Sequence, residues 1–183
     1  MKDSHFPSKP DHILILHSST DGHTLEICER IQSILQDHGT RVALHPVHAA
    51  PADPGGFDKI IIGARIRYGH HHPDVYAFIE RHQALLASRP SAFFSVNLVA
   101  RKPGKRQPDT NPYVRKFLKQ IAWKPDLVAV FAGKVDYRKY GFFDRQMIRM
   151  IMLLTHGPTH PDIVADFTDW AQVDEFAELV SGT

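Results

Sequence analysis

A single cysteine, Cys28, stands in 183 residues, so no intrachain disulfide can close and an oxidising compartment is not indicated. The first residues, MKDSHFPSKPD, contain no apolar run of the kind a secretory leader needs. Nor does any apolar stretch approach the roughly 20 residues that span a bilayer; the longest, Met147 to Leu154, is interrupted by Arg149. A strong charge of one sign is also missing. Lys and Arg number 22 and Asp and Glu 20, a formal charge of +2, which calls for no nucleic-acid partner. The expectation is a cytoplasmic chain whose membrane contact is peripheral. What is present, 43% hydrophobic and 23% charged residues, is the composition of one globular domain, expected over residues 11–183 after a polar extension at 1–10.

Short, continuously apolar, β-branched runs mark five strands buried on both faces: His12–His17, Arg41–Val47, Asp58–Ala64, Ser91–Leu98 and Asp126–Gly133. Between them, spacings near 3.6 predict helices from Leu25 to Gly39, over Pro73–Ala87 and over Pro112–Ile121, with later helices over Phe142–Thr155 and Trp170–Val180. Strands alternating with helices require a parallel sheet with right-handed crossovers covered on both faces, an α/β doubly wound fold. Residues 98–126 form a long insertion after strand four. Between Arg101 and Lys119, seven basic side chains stand against Asp109 alone, and long loops in compact domains are usually functional or disordered.

In a doubly wound sheet, ligands bind beyond the carboxyl ends of the strands. After the first strand, Ser18, Ser19, Thr20, Asp21, Gly22, His23 and Thr24 open a helix with hydroxyls and a glycine, which suits a phosphate at the positive helix end. The alternative is that the hydroxyls merely cap that helix. The absence of G-x-G-x-x-G and of a P-loop lysine argues for a monophosphate rather than a dinucleotide or triphosphate. After strand three, Ala64, Arg65, Ile66, Arg67, Tyr68 and Gly69 combine a tight turn with an aromatic face on which a flavin could stack, or a ring that simply covers the sheet end. Ser95, Val96, Asn97 and Leu98 after strand four, and Gly133, Lys134, Val135, Asp136 and Tyr137 after strand five, complete the same rim.

Other chemistries find less support. The consecutive His70, His71 and His72 point alternately and lack the spaced partners of a metal site, so no metal is expected. Cys28 falls inside a helix pattern with no base beside it, G-x-S-x-G is absent, and His17-Ser18-Ser19 replaces the acidic pair of a Mg²⁺-dependent receiver domain. The helix around Arg145 and Arg149 admits two readings, a sheet-covering helix and one facing an anionic membrane. The basic segment lacks the interleaved aromatics of an RNA-stacking platform.

The stretches S-T-D-G-H-T (Ser19 to Thr24), I-G-A-R-I-R-Y-G-H (Ile62 to His70), P-S-A-F-F-S-V-N-L-V-A-R-K-P (Pro90 to Pro103) and T-N-P-Y-V-R-K-F-L (Thr110 to Leu118) resemble the flavodoxin-like, menaquinone-dependent protoporphyrinogen IX dehydrogenases of bacterial haem synthesis. Tyr137, Tyr140, Asp144, Arg145 and the T-D-W of Thr168 to Trp170 extend the likeness over nearly the whole chain after residue ten. The departures are the N-terminal extension, His23 and His71. The resemblance implies a flavodoxin-like fold and noncovalent FMN, with its phosphate at Ser18–Thr24 and its isoalloxazine between the other rims. It also implies oxidation of protoporphyrinogen IX by a membrane quinone in three two-electron steps. No side chain is singled out as a catalytic acid or base. Arg101, Lys102, Lys105 and Arg106 are the candidates for binding the substrate's propionates, against a solvated or lipid-contacting loop. The rivals are a flavodoxin-type electron carrier, expected to be acidic and short-looped, and an NAD(P)H:quinone oxidoreductase.

Overall fold

A computed structural model describes residues 11–136, 138, 141–154 and 164–182; the expected extension at 1–10 and the rim residue Tyr137 lie outside the described residues. Five strands, β1 (His12–Ser18), β2 (Arg41–Pro46), β3 (Lys59–Arg65), β4 (Ser91–Asn97) and β5 (Leu127–Ala132), form an all-parallel sheet in the order β2-β1-β3-β4-β5. The fold is the flavodoxin-like α/β arrangement, and the apolar runs fall where strands buried on both faces must lie. Alternation along each strand divides the core. Ile13, Ile15, Ile61 and Phe94 face helices α1 (His23–Asp37) and α6 (Trp170–Gly182). Leu14, Leu16, Ile60, Ile62 and Phe93 face α2 (Pro73–Arg81), α3 (Gln83–Ala87) and α4 (Pro112–Gln120). Each fully buried Ile, Leu or Phe contributes about 1.5–3 kcal/mol.

Helix α1 ends at Gly39, whose positive φ of 81° a side chain would strain. The single helix expected over Pro73–Ala87 is two: His82, at φ −112° and ψ 22°, leaves the helical basin between α2 and α3, and Leu86 then joins Phe78 and Ile79 in one cluster. Cys28 is a fully buried core residue whose thiol is pushed up in pKa by desolvation, as expected of a small hydrophobe.

Within residues 98–126, α4 is the crossover that parallel β4 and β5 require. Phe117 stacks on Phe93 with centroids 4.4 Å apart, and the Trp123 indole donates to Ser91 Oγ at 3.1 Å. The excess over a plain crossover is therefore confined to 98–111, which folds as two 3₁₀ turns, Leu98–Arg101 and Pro103–Lys105. An unexpected antiparallel pair, β6 (Lys134–Asp136) with β7 (Val164–Asp166), flanks α5 (Phe142–Leu154) in sequence. Val135 and Met152, both wholly buried, join this ribbon to α5.

Gly63, in the middle of β3, allows the Phe94 ring to cross it: a Cβ there would lie 2.2 Å from Phe94 Cζ. Gly63→Ala is expected to lower stability by about 1–3 kcal/mol through this overlap. Urea unfolding would show it as a lower midpoint at unchanged slope; an unaltered midpoint would show that the Phe94 contact does not constrain the strand.

Candidate functional site

The carboxyl ends of β1, β3, β4 and β5 surround a cavity of about 410 Å³. Its polar lining comes from the β1–α1 loop through Ser19, Asp21, His23 and Thr24. Helix α1 starts at Gly22, at φ 90°, with no side chain capping it. Ser19 Oγ instead accepts from the Gly22 amide at 3.1 Å, so this hydroxyl shapes the turn and the helix end stays uncapped. The capping alternative is thus excluded for this helix.

The loop is held by charge from both sides. From the end of β3, Arg65 Nη1 pairs with the Asp21 carboxylate, both side chains being about four-fifths buried. From the start of β6, Lys134 Nζ reaches Glu26 Oε2 at 3.4 Å. Glu26 Oε2 is also 3.0 Å from His23 Nδ1, and that hydrogen bond holds the Glu26 carboxyl below its ordinary range. The Thr168 hydroxyl donates to the Ala132 carbonyl at 2.9 Å and lies within hydrogen-bond distance of His23 Nε2, 2.7 Å away. His23 thereby ties the first turn of α1 to the segment before α6.

After β3, Arg67 and His70 exchange both backbone hydrogen bonds, and the two residues between them, Tyr68 and Gly69, have φ of 51° and 82°. This is a hairpin turn of the kind that needs left-handed backbone at both central positions. A tyrosine there is strained, and such strain concentrates at ligand sites. Tyr68 lines the cavity, is 59% exposed, and carries the Arg67 guanidinium over its ring at 5.2 Å. The third rim is fixed from within. Asn97 Oδ1 accepts from the Ala100 amide and from Asn111 Nδ2, each at 3.1 Å. Asn111, fully buried, also donates to the Lys105 carbonyl and caps α4 by accepting from the Tyr113 and Val114 amides. Residues 98–111 are thus folded back onto β4, and Tyr113 enters the cavity wall.

Fourteen of the anticipated rim residues line the cavity: Ser19, Asp21, His23, Thr24, Arg65, Ile66, Arg67, Tyr68, Gly69, Val96, Asn97, Leu98, Gly133 and Lys134. Ser18, Thr20, Gly22, Ala64, Ser95, Val135 and Asp136 are near it without lining it. Ser18 and Ala64 face each other across β1 and β3, Thr20 is exposed, and Ser95 and Val135 are wholly buried. Asp136 accepts from the Arg138 amide. Val99 continues the rim after strand four, and Tyr113, Met147 and Ile148 line the cavity without having been anticipated. None of Arg101, Lys102, Lys105 and Arg106 lines it: Arg101 donates to the Leu98 carbonyl at 3.1 Å and lies over the Phe167 ring, and the other three are exposed.

Comparison with known proteins identifies the family and the fold. A family profile described as a flavodoxin domain matches residues 14–162. Protoporphyrinogen IX dehydrogenase (quinone) of Escherichia coli K12 is 44% identical over 169 residues, which cover 92% of this chain and 93% of the relative. The protein of the same name from Leishmania major is 44% identical over 90% of this chain and 72% of its own length. The chain belongs to this flavodoxin-domain dehydrogenase family. Its members are oxidoreductases. Among solved structures, Megasphaera elsdenii flavodoxin superposes with a TM-score of 0.55 at 12% identity over 93% of this chain and 99% of that one. A flavodoxin from Streptococcus pneumoniae TIGR4 gives 0.52 at 17% identity over 93% and 98%. These likenesses show the fold.

Of the three consecutive histidines, His70 and His72 are exposed and His71 is buried, as alternation requires. The His71 ring packs edge-on against Phe93 and Phe117, and its Nδ1 donates to the Arg65 carbonyl at 3.2 Å, pinning the end of β3. Desolvation lowers its pKa to about 4, partly opposed by the bond to Arg65. In the unfolded chain this group takes up a proton near 6.5. Its contribution to stability is therefore complete above pH 6.5 and falls by up to about 3 kcal/mol by pH 4. His71→Leu is expected to flatten the decline of Tm between pH 6.5 and 4 relative to the native chain; parallel declines would show that His71 does not set this acid sensitivity.

Proposed function

We propose that the cavity holds FMN and that the chain oxidises protoporphyrinogen IX to protoporphyrin IX with a quinone as acceptor. The observation that carries the reading is an uncapped helix start beside Ser19 and Thr24 in the same cavity as the rings of Tyr68 and Tyr113 and the apolar walls of Ile66, Val96, Leu98, Met147 and Ile148. A phosphate fits the first and a flat ring system the second. The 2-1-3-4-5 sheet order supports it further, since ligands of this fold class bind at the β1/β3 switch.

When bound, FMN supplies the two-electron redox chemistry. The chain's own part is binding and orientation. The α1 amides and the Ser19 and Thr24 hydroxyls hold the phosphate, Tyr68 and Tyr113 flank the ring, and the apolar walls exclude water. Three turnovers remove six electrons and six protons from the porphyrinogen and convert three quinones to quinols. The quinone supplied from the membrane is menaquinone, and the reaction serves haem synthesis at the cytoplasmic face of the membrane. Helix α5 supports that location. Met147 and Ile148 line the cavity, while Phe142, Met150 and Leu153 of the same helix are 70, 56 and 69% exposed. No helix among the described residues is long and apolar enough to cross a membrane.

Anaerobic assay of the FMN-loaded protein with protoporphyrinogen IX and a soluble menaquinone analogue is expected to yield one porphyrin per three quinols, with no oxidation of NADH or NADPH. Quinone reduction driven by NAD(P)H and not by the porphyrinogen would replace this reading with that of an NAD(P)H:quinone oxidoreductase.

The Asp21–Arg65 pair adds a binding prediction. Without Arg65, the Asp21 carboxylate would lose its cation beside the phosphate. Arg65→Ala is expected to weaken FMN binding about tenfold, equivalent to ~1.4 kcal/mol, and to leave riboflavin, which lacks the phosphate, within about twofold. Fluorescence titration of the apoprotein with each flavin reads this; equal losses for both would place Arg65 at the ring instead.

A further inference from the structure

A second concavity lies on α4, lined by Pro112, Arg115, Lys116, Lys119 and Gln120 and about 370 Å³ in volume. The cluster lies on one helix face, because residues three and four apart are neighbours. No acidic residue occurs between Thr110 and Pro125, and among the described residues none of Arg115, Lys116 and Lys119 has a carboxylate partner. The groove adjoins the main cavity. Tyr113, one residue from Pro112, lines that cavity, and a Cβ at cavity-lining Gly69 would lie 3.9 Å from the Tyr113 ring. Lys116 Nζ is 3.4 Å from Nδ1 of His70, the residue after Gly69.

The other cations near the cavity are already engaged: Arg65 with Asp21, Lys134 with Glu26, Arg67 over Tyr68, and Arg101 on the Leu98 carbonyl. Lys102, Lys105 and Arg106 line neither concavity. We infer that the α4 groove is the carboxylate-docking subsite for an anionic multi-ring substrate whose ring system lies against the cavity mouth at Tyr113 and Gly69. In the reading proposed above, on which this rests, those carboxylates are the two propionates of protoporphyrinogen IX. Arg115 offers a planar fork that donates two hydrogen bonds to a carboxylate, and Lys116 beside it and Lys119 one turn on supply compact point charges. This assigns propionate recognition to the crossover helix and not to the preceding basic turns.

The test is the Arg115→Ala, Lys116→Ala, Lys119→Ala triple variant. All three side chains are exposed, and alanine is the strongest helix former, so α4 is retained. Binding of protoporphyrin IX and of its uncharged dimethyl ester to the FMN-loaded protein is followed by porphyrin fluorescence in the same detergent. The diacid is expected to bind the variant at least tenfold more weakly than the native protein, and the ester equally well to both. In turnover, KM for the diacid porphyrinogen rises at least tenfold with kcat within twofold, and the FMN dissociation constant does not move. Unchanged diacid binding, or equal losses for diacid and ester, would overturn the assignment. So would a variant with native KM in detergent that no longer sediments with phosphatidylglycerol vesicles, because the groove would then be a lipid-headgroup site. A native protein that binds FMN but does not oxidise the porphyrinogen would overturn the functional reading together with this subsite. Native activity without preference for the diacid would overturn the subsite alone.

Discussion

Parallel pairing places the carboxyl ends of all five strands on one rim, and the order β2-β1-β3-β4-β5 makes the chain diverge there. The connection after β1 goes to the face covered by α1 and α6, whereas those after β3 and β4 go to the face covered by α2, α3 and α4. Adjacent strands whose helices leave on opposite sides cannot fill the space between their ends, so a crevice opens at that junction. The uncapped start of α1 and the strained turn at Tyr68–Gly69 border this crevice from its two sides. The position of the site therefore follows from the hydrogen-bonded order of strands before any functional side chain is considered.

Keeping the crevice in shape is the work of a few buried polar contacts that join loops to one another. Asn111 is the clearest, with one side chain bonded to Asn97, to the Lys105 carbonyl and to the first amides of α4. Losing a partner from such a buried group costs about 1–3 kcal/mol, and more is at stake here because several loops share it. His71 acts similarly beneath the β3 turn, and His23 with Thr168 on the α1 side. The cavity walls thus belong to the same cooperative unit as the sheet, which suits a site that must present a preformed surface.

The sheet was legible in the sequence because strands buried on both faces leave an unambiguous apolar signature, as at His12–His17 and Asp58–Ala64. The β1–α1 turn was legible because turn residues, hydroxyls and a helix pattern occur in immediate succession. The β6–β7 ribbon was not. Three-residue strands carry no readable period, and their pairing joins residues 28 or more apart. Met147 and Ile148 look in sequence like any residues of an apolar helix, and only tertiary packing reveals that they wall a cavity. Tyr113 was hidden for a related reason, since its placement depends on the Asn111–Asn97 contact folding 98–111 back. The basic residues between Arg101 and Lys119 look alike as a charge run. Their separation into turns that line no cavity and a helix that forms a groove is a property of where α4 starts.

The division between the two sheet faces also bears on electrostatics. A phosphorylated flavin and a dicarboxylate substrate would each bring about two negative charges to one small region, and like charges in a crevice of reduced dielectric repel more strongly than in water. In this fold the β1–α1 loop belongs to one face, and the basic residues Arg115, Lys116 and Lys119 of α4 belong to the other. Asp21 and Glu26, the carboxylates nearest the loop, are each answered by a cation from a neighbouring strand end. The apolar and aromatic cavity walls lie between the β1–α1 loop and the basic face of α4. A cavity that had to hold both anions on the same side would require compensating cations in its interior, at a desolvation cost of several kcal/mol per buried ion. On the proposed reading, the topology removes that requirement by receiving one anion at each side of the rim and leaving the centre to redox chemistry.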